Sequence, residues 1–304
     1  MDVRRLGILR ELSERGSVGA VAAAMKVTPS AVSQQLKVLE REAGYTLVEP
    51  AGRGVALTEA GRALARTATE IAVAVAKAEG AWREFMAQPA GRVTLATFPT
   101  AGEMLLPGLL TRMAERPDVE LVLSDNDGTI DFADQTADFD VVLADGPTTS
   151  ETWHERNLQV VPLMSEPLDV ALPEDHPLAA KESLAAKDVV GETWIGVPHD
   201  YPFDQVLERV VAVTGEPVRV AQRIADNGIV EALVAGGHGI AILPRFTTRE
   251  HGNGLVTRPL VGIRAKREIS ALLRPDRYER PSVRAVIDAL RDEAKAVAQA
   301  HSAA

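Results

Sequence analysis

GSVGAVAAAMKVTPSAVSQQLKVLERE, residues 16–42, reads as two short helices joined by a turn so tight that they must cross steeply. Ser17 is a favoured N-cap, and Ala20, Val21, Ala24 and Met25 form an apolar stripe on the first helix. Lys26-Val27 breaks that pattern, and Thr28-Pro29 restarts a helix with preferred residues at its N-cap and first position. Val32, Leu36 and Leu39 then face inward, which turns Ser30, Ser33, Gln34 and Lys37 outward, with Gln35 beside them. Such a face suits the DNA major groove: Gln bonds both edge groups of adenine, Ser bonds several bases or a phosphate, and Lys neutralises a phosphate. An ordinary amphipathic helix pair with a solvated face gives the same pattern, so the flanks must decide.

Downstream, residues 48–57 read as two short strands around a Gly-rich tip carrying Arg53, a wing that would lie along the minor groove or its phosphates. Thr58 then caps a long helix that runs to about Gln88, with Gly61 as its one helix-weakening residue before Gly80. Leu64, Thr67, Ile71, Val75, Ala78, Trp82 and Phe85 recur every three or four residues, as in a coiled-coil seam. Leu64, Ile71, Val75, Ala78 and Trp82 are therefore candidates for dimerisation; the competing reading is a helix packed on its own domain. Residues 88–91, QPAG, end the helix and mark a hinge.

The formal net charge of -10, taken over the whole chain, argues against a nucleic-acid partner. Its distribution removes the objection: residues 1–57 carry 8 Lys/Arg against 6 Asp/Glu, whereas residues 89–304 carry 21 against 33. A mildly basic head implies weak non-specific binding, so useful affinity requires two or more heads on one DNA.

From Arg92 the pattern alternates. Strands are expected over 92–98, 119–126 and 139–145 around a helix over 101–116. A second set follows, with strands over 168–172, 193–197, 218–224 and 239–243 and helices over 203–214 and 227–235. A strand over 268–273 and an amphipathic helix over 281–300 close the chain. Alternation with short loops implies doubly wound α/β sheets, and more than 200 residues allow two lobes. A small ligand would bind between them, at strand ends. Pro99, Thr100, Ala101 and Gly102, after a strand and opening a helix, are suited to an anion, although Thr100 also reads as a plain N-cap. His199 and Asp200 lie on one loop of the second set, and Asp226-Asn227 precede a helix; a solvated His and a capping Asp are the bland alternatives. Asp127, with Asp125 and Asp145, adds negative charge near strand ends and favours an amine-bearing ligand such as an amino acid.

No catalytic constellation survives inspection. The chain has no Cys, which excludes thiolate catalysis, thiolate zinc sites and disulfides. The His residues at 154, 176, 199, 238, 251 and 301 show no metal-ligand spacing, and neither a G-x-S-x-G elbow nor a phosphate-binding P-loop occurs. Neither a cofactor nor a metal is expected. A solute-binding protein of similar two-lobed shape is the alternative, but it would lack residues 1–88 and carry an export signal, and none is seen. Without an 18-residue apolar run, no membrane partner is expected and the cytoplasm is the expected compartment.

The order of a GS-initiated helix, an SAVSQQLKVLE helix, a wing and LTEAGRAL resembles the winged helix-turn-helix domain of LysR-type transcriptional regulators. The resemblance is specific over residues 1–65 and architectural beyond 90. It implies a winged helix-turn-helix over 1–57, a linker and dimerisation helix over 58–88, and an effector-binding domain over 90–304 that is two-lobed, α/β and periplasmic-binding-protein-like. Lobe 1 would comprise about 90–164 and 263–304, lobe 2 about 165–262, with crossovers near Met164 and Gly262. Implied partners are double-stranded promoter DNA, a small-molecule effector, an amino acid or carboxylate, and further copies of the chain, as a dimer through the linker helix or a tetramer. In this family the loop at Thr100 commonly contacts the effector. The chain departs from its pattern at Pro29-Ser30 and Gln34, where many members carry Gln-Pro and an Arg. It departs again at Glu49-Pro50, where Glu-Arg is usual, which leaves Arg53 as the wing's only cation. The target sequence therefore does not transfer from relatives.

Overall fold

The computed structural model describes residues 1–51, 54–85, 90–125, 131–146, 148–199, 201–249 and 254–302. Among them no helix is long and apolar enough to cross a membrane.

Helices α1 (Val3–Arg15), α2 (Val18–Met25) and α3 (Pro29–Ala43) build the head. Ser17 and Thr28 cap α2 and α3 by accepting the N–H groups of Ala20 and Ala31, and Pro29 opens α3. Between them Lys26 takes a left-handed conformation, φ 54°, which makes the turn tight. Leu9, Leu12, Val21, Val32, Leu36 and Leu39 close into one core. Strands β1 (Val48–Ala51) and β2 (Gly54–Leu57) pair antiparallel as the expected wing; its Arg53 lies outside the described residues.

Helix α4 (Glu59–Phe85) follows, with the Thr58 hydroxyl accepting from the Gly61 N–H. A side chain at Gly61 would meet the Leu47 carbonyl at 2.1 Å, so this glycine lets the helix press against the head. The seam read from the sequence is divided by this packing. Leu64 and Ile71 join the head core beside buried Ala65 and Ala68, whereas Val75, Ala78 and Trp82 are exposed. For its first three turns, then, the helix is packed on its own domain.

The remaining elements are β3 (Gly91–Thr97), α5 (Pro99–Met113), β4 (Val119–Asp125), α6 (Phe132–Gln135), β5 (Val141–Asp145), α7 (Glu151–Glu155), β6 (Gln159–Pro173), β7 (Leu184–Ala185), α8 (Ala186–Val189), β8 (Thr193–Gly196), α9 (Asp204–Thr214), β9 (Arg219–Arg223), α10 (Asn227–Ala235), β10 (Ala241–Pro244), β11 (Leu255–Val261), β12 (Lys266–Leu273), α11 (Pro275–Tyr278) and α12 (Pro281–Ser302). Strands β4, β3, β5, β12 and β6 lie side by side; the first three are parallel and β12 runs against β5 and β6. Strand β6 is long enough to serve both lobes. Its residues through Pro167 pair with β12, and from Leu168 onward it pairs with β10 and β11. The partners change at Pro167–Leu168, three to four residues beyond the expected crossover at Met164. The chain returns through Gly262, whose φ of 82° is easy only for glycine. Lobe 1 buries Leu95, Leu105, Leu143 and the inner stripe of α12, Val283, Val286, Ile287 and Leu290; lobe 2 buries Leu168, Leu172, Trp194 and Val206.

Candidate functional site

On the head, α3 presents Ser30, Gln34 and Lys37 to solvent, with Thr28 and Pro29 exposed at its start and Ser33 half-buried beside them. Gln35 is a correction to the sequence reading. Its side-chain carbonyl accepts from Arg5 Nε at 3.0 Å, so it ties α3 to α1 instead of facing outward. Arg41, one helical turn beyond Lys37, went unnoticed in the sequence although its i, i+4 spacing puts both cations on one face. Together they line an open groove of about 580 Å³ with Tyr45 and Thr46.

Between the lobes the arrangement differs from expectation. Helix α5 begins at Pro99 with Phe98 as its cap residue, so Thr100 lies inside the helix and is not its N-cap. Its hydroxyl accepts from Arg267 Nη2 at 2.9 Å. Ala101 and Gly102 are buried, and the Gly102 N–H is spent on the Phe98 carbonyl at 3.0 Å. The expected anion cradle is therefore occupied by a cation of the chain itself.

That cation sits at the hinge. Arg267 stands opposite Glu166 in the β12–β6 register, and its Nε and Nη2 reach Glu166 Oε2 at 2.7 and 2.6 Å. The side chains are 3% and 0% exposed. Burial of two charges is costly unless the geometry is good and other bonds complete it, and here they do. Glu166 Oε1 accepts the Phe246 N–H at 2.9 Å, and the guanidinium lies 5.2 Å from the Phe98 ring and 5.4 Å from the Phe203 ring, within cation–π range. Asp145 Oδ2 stands 3.7 Å from Arg267 Nη1. Burial pushes the Asp145 carboxyl up to about 6, with Arg267 opposing and Glu166 reinforcing the shift. One ion pair thereby holds segments of both lobes. Arg249–Glu103, at 2.9 Å, and the stacked rings of Phe246 and His301, 4.2 Å apart, add contacts across the same gap.

The other candidates scatter around this centre. His199 Nδ1 lies 3.0 Å from Asp204 Oδ2, and Asp204 also takes Arg223 Nη1 at 2.8 Å. Asp226 caps α10 by accepting the Ile229 N–H at 2.8 Å, the bland reading. Asn227 lines a cavity of about 10 Å³ with Gly196, Val197 and Phe203, about the space of one water. Asp127 and Asp200 lie outside the described residues. Among the described residues no group of His, Asp and Glu is placed to hold a metal. Glu166 and Arg267 were missed in the sequence; their signal was a lone charge beside each apolar strand run, legible only once the two strands are paired.

A family model of the bacterial regulatory helix-turn-helix protein, lysR family, matches residues 3–62, and one of the LysR substrate binding domain matches residues 86–295, well over half of the chain. The chain belongs to the LysR family. Among LysR relatives, the DNA-binding transcriptional dual regulator OxyR of Escherichia coli is 26% identical over 302 residues, covering 95% of this chain and 96% of that protein. The full-length OxyR structure from Pseudomonas aeruginosa has a TM-score of 0.64 at 22% identity, covering 96% and 98% of the two chains. Full-length CbnR complexed with its target DNA gives a TM-score of 0.55 at 21% identity, covering 97% and 100%. As LysR regulators are, this chain is a DNA-binding transcriptional regulator with an effector-binding domain, and the regulatory reading displaces that of a solute-binding protein.

Proposed function

We propose that α3 reads promoter DNA, with Ser30, Ser33 and Gln34 at base edges or sugar, Lys37 and Arg41 at phosphates, Thr28 and Pro29 fixing the helix start, and Arg53 on the wing. The observation that supports this most is the open polar face of a capped helix above a closed apolar core. We divide the chain into a head over 1–57, a linker over 58–88 and an effector domain over 90–304, and place its work in the cytoplasm, where the chromosome is. The exposed end of the α4 seam, Val75, Ala78 and Trp82, pairs two chains, and the dimers associate into a tetramer. The effector is a small molecule bound between the lobes, not an enzyme's substrate. An amine-bearing molecule such as an amino acid suits the acidic residues near the strand ends, Asp125 and Asp145.

Two experiments test these assignments. Gln34→Ala changes sequence preference, whereas Lys37→Ala weakens binding to all sequences and lowers the slope of log affinity against log salt by about 1. Equal losses with unchanged slopes overturn the roles. Val75→Glu combined with Trp82→Glu yields monomers in light scattering, and an unchanged oligomer removes this face from the interface.

A further inference from the structure

Helix α1 carries Arg10, Glu11, Glu14 and Arg15, an i, i+1, i+4, i+5 set that shares one side of the helix. That side is docked on lobe 1. Arg274, the residue that follows β12, places Nη1 at 2.9 Å from Glu11 Oε1 and 2.8 Å from Glu14 Oε2. Arg10 Nη1 reaches Asp276 Oδ2 at 3.1 Å, Arg15 Nη1 reaches Asp138 Oδ1 at 2.8 Å, and Arg15 Nη2 donates to the Ala137 carbonyl at 2.7 Å. Helix α4 adds Lys77 at 3.7 Å from Glu279, an Arg284–Glu84 pair, and Gly80, where a side chain would lie 2.8 Å from the Glu279 carbonyl. Each of these partners belongs to lobe 1.

The cluster carries one more carboxylate than cation and is incompletely bonded. Three cations, Arg10, Arg15 and Arg274, face four carboxylates, Glu11, Glu14, Asp138 and Asp276. Among the described residues, Arg274 Nε and Nη2, Arg10 Nε and Asp276 Oδ1 are buried without a hydrogen-bond partner. Each buried group left unpaired costs free energy, so the contact is weaker than its number of ion pairs implies.

We propose that this cluster is an intramolecular latch: it fixes the DNA-binding head on lobe 1 in one orientation, and its release frees the head. The latch hides none of Ser30, Gln34 or Lys37, so it sets the direction of the recognition helix rather than blocking it. Lobe 2 then moves against a unit made of head, linker and lobe 1. The regulatory meaning rests on the reading of the head as the DNA-binding part; the latch itself does not.

Because the chain has no cysteine, spin labels attach only where cysteines are introduced. Tyr45→Cys on the head and Asp118→Cys on lobe 1 give an intrachain distance in the full-length protein, read with labelled chains diluted into unlabelled ones. The distribution is narrow in the otherwise unaltered protein. It broadens with Arg274→Glu and narrows again when Glu11→Arg and Glu14→Arg are added to it. Arg274 is only 4% exposed, so Asp138→Arg, at an exposed position that faces Arg15, supplies a second test without risk to the core. A broad distribution at the outset, or one unchanged in folded Arg274→Glu and Asp138→Arg, overturns the latch. DNA affinity measured on the unlabelled chain that keeps Tyr45 shows separately whether the head binds DNA.

Discussion

Strand β12 carries a buried arginine at each end, and the two are held differently. Arg267, at its start, has Nε and Nη2 on Glu166 and a bond to Thr100, and is flanked by two aromatic rings. Arg274, just past its end, has three carboxylates within 3.6 Å, yet two of its nitrogens have no hydrogen-bond partner among the described residues. The difference lies in how each is surrounded. Arg267 is enclosed by a strand pair whose register fixes its partner, so its geometry follows from the sheet. Arg274 meets groups on a separate domain, whose position no backbone ladder dictates. The first pair is a permanent part of the hinge, and the second is a contact between bodies that can part.

The largest expected effect falls on the permanent pair. Arg267→Ala leaves Glu166 charged and buried, which costs about 3–5 kcal/mol in chemical denaturation of the full chain. A loss below about 1 kcal/mol would mean that the hinge does not depend on it.

The latch responds to pH. Burial pushes the Glu14 carboxyl up to about 7 from an ordinary 4.5, with repulsion from Glu11 and Asp276 adding to it and attraction to Arg274 and Arg10 opposing it. Burial likewise opposes ionisation of Glu11 and Asp276, but Arg274 and the neighbouring arginines outweigh it and hold both below the usual range. A raised carboxyl contributes stability that is complete below its unfolded value and is lost as pH rises through its folded value. The lowered pair contributes above its ordinary range and fails only in stronger acid. Between about pH 5 and 8 the head therefore docks more firmly as pH falls, and Glu14→Gln abolishes that dependence. A Tyr45–Asp118 distance distribution with the same pH response in Glu14→Gln would remove Glu14 from the latch.

The smallest effect belongs to Thr100. Thr100→Val removes one acceptor while Arg267 keeps both bonds to Glu166, so the loss is about 1 kcal/mol, measured by the same denaturation.

Local rules carried the sequence reading a long way in the head. Ser17, Thr28 and Pro29 mark helix ends through their own chemistry, and Val32, Leu36 and Leu39 define an inner face by spacing alone. The cleft was harder to read because its decisive residues are distant in sequence. Glu166 and Arg267 meet across two strands, and the pair turns Thr100 from an anion site into an acceptor for a guanidinium. Leu64 and Ile71 show the same limit: a seam for a partner helix and a stripe against one's own head have the same period. The charges of α1 were passed over in the sequence, and although their spacing puts them on one side of a helix, nothing local says what that side meets.

The most direct test of the contrast between the two arginines is a salt titration of two distances in the full-length protein, Tyr45→Cys to Asp118→Cys for head and lobe 1, and Asp118→Cys to Val213→Cys for the two lobes. Screening weakens partly open charge clusters far more than buried, hydrogen-bonded pairs. From about 0.1 to 1 M salt, the account predicts that the head–lobe distance broadens while the lobe–lobe distance holds. Lobes that separate first, or a head–lobe distance that does not change, would contradict it.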